Sequence, residues 1–156
     1  MITRIEPMCC GYTRAPFAMQ NILHEPIVFA QALTSLFLAI LFLQSGLDKV
    51  FNFQDNLGWL KGHFSKTPLR SQVKGMLIFI MLAEVVAGIL ALVGTAQIVV
   101  TGDKAWALYG AQLAAIVIVM LFFGQRIAKQ YAGAAVLVPY FILCIGEVVL
   151  LSISPQ

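Results

Sequence analysis

Four long apolar runs dominate the chain, at about residues 27–47, 76–100, 105–123 and 132–153, with polar connections between them. Each is close to the ~20 residues a helix needs to cross the hydrocarbon of a bilayer. The runs are continuously apolar, unlike the short alternating strands of a closed membrane barrel. The pattern therefore predicts an all-α fold, a four-transmembrane-helix antiparallel bundle over 27–153. The connections at 101–104 and 125–131 are short, so consecutive helices should pair as hairpins.

Residues 1–26 carry Arg4, Glu6, Arg14, His24 and Glu25 among Pro7, Pro16 and Pro26. They hold no apolar core of signal-peptide length and read as a retained N-terminal extramembrane extension. The long connection, 48–74, mixes Phe51, Phe53, Trp59 and Phe64 with Lys61, His63, Lys66 and Arg70. Asp55 is expected to cap a short helix running to Phe64, stopped by Pro68. Aromatics mixed with lysine suit a helix lying in the membrane interface.

Composition agrees with this picture. Across 156 residues, 60% are hydrophobic and 11% charged, and the mean hydropathy is +0.90; a soluble domain carries roughly 25% charged residues. The net charge of +3 is small and the basic residues sit in loops, which argues against nucleic acid as a partner. Arg4, Arg14 and Lys104 lie on the side of the two termini. Lys49, Lys61, Lys66, Arg70, Lys74, Arg126 and Lys129 lie on the other. By the positive-inside rule the loops 48–74 and 125–131 are cytoplasmic and both termini outside.

Several chemistries lack their residues. The histidines, His24 and His63, lie outside the spans, so no span offers an axial haem ligand, and there is no C-x-x-C-H. Cys9 and Cys10 are adjacent and Cys144 is inside the last span, an arrangement without the C-x-x-C of a thiol oxidase. Cys9 and Cys10 remain open to metal or lipid, and Cys144 reads as a small hydrophobe. No mid-span lysine or glycine-rich phosphate loop is present. No cofactor is expected to be held covalently or by metal ligands.

The intramembrane acids stand out against that background. A charge in the hydrocarbon costs about 2.5–3.5 kcal/mol on insertion scales and needs a partner. Glu84 lies about 12 Å inside the second span and Glu147 about 9 Å from the opposite surface, at 1.5 Å per residue. Their vertical separation is then roughly 10 Å in a core of about 30 Å. Lys49 is the cation nearest Glu84 in depth, and Asp48 is free to pair with Arg126 or Lys129. Glu84 reads either as a structural ion pair or as a group handling a proton or quinone. Glu147 reads as a neutral acid bonding a neighbouring helix, or as a step in a relay. Gln44, Gln97, Gln112 and Gln125 read as interhelical amides. Trp106, Tyr109, Tyr131 and Tyr140 fit an aromatic belt.

Small residues recur every four positions, at Ala83, Ala87, Ala91 and Thr95 and again at Ala107, Ala111 and Ala115, where helices can approach closely. The first span closes on Ser45-Gly46-Leu47-Asp48-Lys49-Val50-Phe51, and the second reads Ala83-Glu84-Val85-Val86-Ala87-Gly88 onward to Gly94. With four helices and a long aromatic first loop, the chain resembles the DoxX family over about residues 31–153. The matching positions are Gly46, Lys49, Glu84, Gly88 and Gly94. The resemblance implies a small four-helix protein of the bacterial inner membrane. The family takes its name from a subunit associated with quinol oxidase and thiosulfate:quinone chemistry in archaea, whose thiosulfate-oxidising members work with a second, extracytoplasmic subunit.

The expected function is an accessory or structural subunit of a larger respiratory or electron-transferring complex, in contact with the lipid bilayer and other membrane subunits. Quinone or lipid would occupy its grooves. Two alternatives stay open: a quinone-linked oxidoreductase subunit using Glu84 and Lys49, and a proton or solute transporter working as an oligomer.

Overall fold

The computed structural model describes residues 25–64 and 71–153. The expected extension over 1–26, with Cys9 and Cys10, lies almost wholly outside the described residues, as do Lys66, Pro68 and Arg70. Five helices follow in order among the described residues: α1 Pro26–Phe51, α2 Phe53–His63, α3 Val73–Val100, α4 Ala105–Ile127 and α5 Tyr131–Ser152. All but α2 are long and apolar enough to cross a membrane. α1, α3 and α4 extend past the expected spans by five, three and four residues, and α3, the longest at 28 residues, is about 42 Å at 1.5 Å per residue.

The side-chain pattern is that of a membrane bundle. α1 buries Val28, Gln31, Ala32, Ser35, Leu38, Ala39, Phe42 and Gly46 on one face at three- and four-residue spacing. Its large apolar residues, Leu33, Phe37 and Ile40, point outward, as do Phe79, Ile89, Ile116 and Ile142 on the other helices. Lipid tails solvate such side chains as well as a protein core does, so the interior is left to small and polar residues.

Glycines set the approach of α3 to both neighbours. A Cβ on Gly88 would lie 2.8 Å from the backbone nitrogen of Leu43 in α1. One on Gly94 would collide with the backbone of Ala107 in α4, and one on Gly110 would sit 2.7 Å from Ala91 N. Ala87, Ala91, Ala107, Ala111 and Ala115 are buried along the same seams, while Ala83 is half-buried against the core. Gly110 belongs to this set although its spacing among the alanines does not mark it.

The turns close by hydrogen bonding. Gly102, at φ 75°, donates to Gln97 O and ends α3. After α4, Gln130 N bonds Gln125 O and Lys129 N bonds Arg126 O, a Schellman closure that places Lys129 at φ 59°. α2 starts one turn earlier than expected: Asn52 is its N-cap and Asp55 falls in its first turn. Its apolar positions Phe53, Leu57, Leu60 and Phe64 pack on Val73, Leu77 and Ala128, so the short helix closes one end of the bundle and leaves Phe51 and Trp59 outward.

Gly94→Val should destabilise the bundle by about 1–3 kcal/mol through overpacking against α4. Gly146, with open space around its Cβ position, should tolerate alanine or gain slightly from helix propensity. Unfolding of the detergent-solubilised protein by SDS titration compares the two.

Candidate functional site

Ser45 and Lys49 stand one turn apart on α1 and share a face. Gly46 lies between them and touches α3 at the level of the acid: a Cβ there would be 2.7 Å from Val85 Cγ2 and 3.3 Å from Glu84 Cβ. This bare position lets α3 bring Glu84 within reach of both side chains. Lys49 Nζ donates to Glu84 Oε2 at 2.8 Å and Oε1 at 3.1 Å, and to Ser45 Oγ at 2.8 Å. Ser45 Oγ in turn donates to Glu84 Oε1 at 3.2 Å, closing a ring of three groups.

Glu84 is 1% exposed and the Lys49 side chain 19%, so the acid is sealed in while its cation reaches outward. A buried carboxylate without a counter-charge would be driven to take up a proton. Here the ammonium and hydroxyl stabilise the charged form, and the three ammonium hydrogens are shared among Glu84 Oε1, Glu84 Oε2, Ser45 Oγ and, at 3.2 Å, Ser45 O.

A cavity of about 310 Å³ opens on this ring. Along α3 it is lined from Val73 to Glu84, eleven residues or about 16 Å of helix. Ile80, Met120, Leu121 and Leu137 form apolar walls, and Trp59, His63, Asn56 and Gln130 line it near α2 and the α4–α5 turn. The Trp59 and His63 rings lie 3.9 Å apart by centroid. An apolar channel with polar groups at both ends suits an amphipathic ring compound.

Other residues nominated by sequence go elsewhere. Asp48 is exposed and accepts from Asn52 Nδ2 at 2.7 Å; it does not meet Arg126 or Lys129. Arg126 instead lies over the Tyr131 ring at 4.9 Å. Gln44 and Gln112 face outward and bridge no helices, while Gln97 and Gln125 are half-buried. Trp106, Tyr109 and Tyr131 are exposed, and Tyr140 packs against the core. Cys144 is buried among apolar side chains.

Glu147 is joined to α1 rather than to Glu84. It contacts Thr34, eleven residues before Ser45, so the two acids are about 16 Å apart along α1 rather than roughly 10 Å. The second apolar run, residues 76–100, is itself about 37 Å long at 1.5 Å per residue, more than the core of about 30 Å that gives the shorter separation. Sequence reasoning passed over Ser45, Thr34, Ser35 and Gln31, neutral polar residues embedded in an apolar stretch. The available signal was their spacing, since Gln31, Thr34 and Ser35 occupy one turn of one face.

Four membrane-crossing helices around a buried ion pair define a small multi-pass membrane protein. A family model described as DoxX matches residues 32–124, from the first turns of α1 to Gly124 of α4, and the chain belongs to the DoxX family. No curated protein and no solved structure matches it.

Lys49→Met leaves Glu84 without its cation and should cost about 3 kcal/mol, the low end for breaking a buried pair because Lys49 is partly exposed. The double variant Lys49→Met/Glu84→Gln should regain more than half of that loss. SDS titration of wild type, both single variants and the double variant completes the cycle.

Proposed function

We propose that this DoxX-family protein is a membrane subunit that receives a quinone head group in the cavity ending on Glu84 and Lys49. It serves an electron-transfer complex whose redox groups lie in other subunits. The observation that carries the reading is the combination of a ring-sized apolar cavity with an ion pair at its inner end.

A quinone carbonyl oxygen at the ring of Ser45, Lys49 and Glu84 would take over the Lys49 ammonium hydrogen now directed to Ser45 Oγ. Each quinone oxygen takes up one proton when two electrons arrive, and Glu84 is the group placed to exchange one. Lys49 then tunes that exchange by holding the carboxylate charged between turnovers. The electrons would come from a partner carrying a flavin, haem or iron–sulfur group, which gives the protein its accessory place in a complex. The isoprenoid tail of the quinone would leave between apolar walls toward lipid. By its lysine and arginine distribution, the cavity end would face the cytoplasm of a bacterium, with both termini outside the inner membrane.

Trp59 gives a direct readout. In a Trp106→Phe background it is the remaining tryptophan of the two. A short-chain quinone should quench its fluorescence with saturation. Glu84→Gln should weaken binding about tenfold, corresponding to ~1.4 kcal/mol for a lost polar contact. Ile80→Trp, made as Ile80→Phe where fluorescence is read, should block the cavity while leaving the ion pair intact. Quenching that is linear in quinone and equal in all variants rejects the reading.

A further inference from the structure

At the end of the bundle carrying Glu25 and Ile153, a second buried acid has no part in the cavity. Glu147 of α5 is 1% exposed, and the ion pair formed among the described residues is elsewhere, between Lys49 and Glu84. Thr34 Oγ1 contacts Glu147 Oε2, while Glu147 Oε1 has no hydrogen-bond partner. The Ser35 hydroxyl faces the same carboxyl but falls outside hydrogen-bonding geometry, and it too is buried without a partner. Gln31 turns its amide nitrogen to Leu150 O at 2.7 Å and Ile153 O at 3.3 Å, which leaves its Oε1 buried and unpaired.

Three unpaired oxygens therefore collect within one turn of α1 and one turn of α5. Each buried polar atom left unsatisfied forfeits the hydration it had in water and is destabilising. Thr34 cannot resolve this alone, because its hydroxyl has a single hydrogen and its Oγ1 also donates to Ala30 O at 2.6 Å. A carboxylate, two hydroxyls and an amide carbonyl are hard oxygen ligands, the kind that alkali and alkaline-earth cations take. One acid balances one positive charge; a divalent ion would leave a net charge in the hydrocarbon. A water molecule would supply hydrogens but leave a buried carboxylate uncompensated.

The geometry points to a binding site for a dehydrated monovalent cation of the sodium class, held by Glu147, Ser35, Thr34 and Gln31 and competing with a proton for Glu147. Among the described residues, the surrounding elements leave that charge to the cation. α1 and α3 bring neutral groups here; because Gly88 faces Leu43 in antiparallel helices, Gln97, nine residues after Gly88, stands near the level of Thr34, nine residues before Leu43. Lys104, at the start of α4, donates to Ile153 O at 2.9 Å. Cys144 lies one turn back on α5, and Glu25 and Asp103 are exposed at this end.

Two measurements on the full-length protein in detergent test the site. Dicyclohexylcarbodiimide modifies protonated carboxyls in apolar surroundings, and peptide mass spectrometry separates label on Glu147 from label on Glu84. Replacing choline chloride with sodium chloride at equal ionic strength should slow labelling of Glu147 several-fold and leave Glu84 unchanged. Sodium should also raise the unfolding temperature of wild type, and this shift should vanish in Glu147→Gln. Ser35→Ala should keep the labelling and lose the sodium protection. Equal labelling in both salts, or an unfolding temperature indifferent to sodium, overturns the cation site and makes Glu147 a neutral acid holding only a proton.

Discussion

A charged pair inside a membrane bundle is only tolerable if the two helices carrying it come close enough to complete it, and this requirement organises the molecule. Glu84 cannot reach Lys49 and Ser45 unless α1 and α3 touch at backbone distance. Gly46 provides that contact beside the pair, and Gly88 repeats it one turn further on, against Leu43. The ion pair and the glycines are thus one device. The charge needs the close approach, and the approach leaves no room for any side chain but hydrogen at those positions. The spacing Gly46-x-x-Lys49 has a physical meaning in these terms: the bare residue and the cation must sit on adjoining parts of one α1 face.

The two buried acids show how the same residue type is treated differently by its surroundings. Glu84 is neutralised by a lysine long enough to reach outward from the core. Glu147 has hydroxyls and an amide from α1 but, among the described residues, no basic partner. Between them α1 presents Leu38, Ala39 and Phe42, at 1%, 0% and 2% exposure, so its polar lining is broken for about two turns. A proton or ion passing from one acid to the other would have to cross that apolar layer. The arrangement favours two separate stations, each served from its own end, over a continuous transmembrane path, and it gives the transport reading less support than the quinone reading.

The fold was legible in the sequence because membrane helices advertise themselves by length and continuous apolarity. Lys49 could be nominated for Glu84 because a buried charge demands a partner and only one cation lay at the right depth. What could not be read was helix rotation and register. Gln44 and Gln112 look like interhelical amides in sequence, yet both sit on outward faces. Gln31, Thr34 and Ser35 carry no charge, so nothing in composition distinguishes them from other polar residues in an apolar stretch. The separation of the acids was underestimated because it was measured against a hydrocarbon core of about 30 Å, whereas the apolar run 76–100 alone spans about 37 Å. Asp48 was offered partners across the bundle end, but its exposed position lets Asn52, one turn along, satisfy it locally.

The position of the cavity follows from where the glycine contacts stop. On α3 the tight contacts with α1 and α4 run from Val85 through Gly88 and Ala91 to Gly94. On the other side of Glu84 the same helix carries Val73, Met76, Leu77 and Ile80, and Gly75 has nothing near its Cβ position. Larger side chains hold the helices apart there, and α2 closes the end through Leu57 and Phe64 without filling the space. Glu84 stands at the fork, with packed helices beyond it and a 310 Å³ cavity before it. A charged group at the closed end of an apolar cleft is costly as pure structure, because an apolar pair could hold the fork equally well. Its placement makes sense when the cleft is occupied by a molecule whose polar end needs a hydrogen-bond donor and whose remainder belongs in lipid.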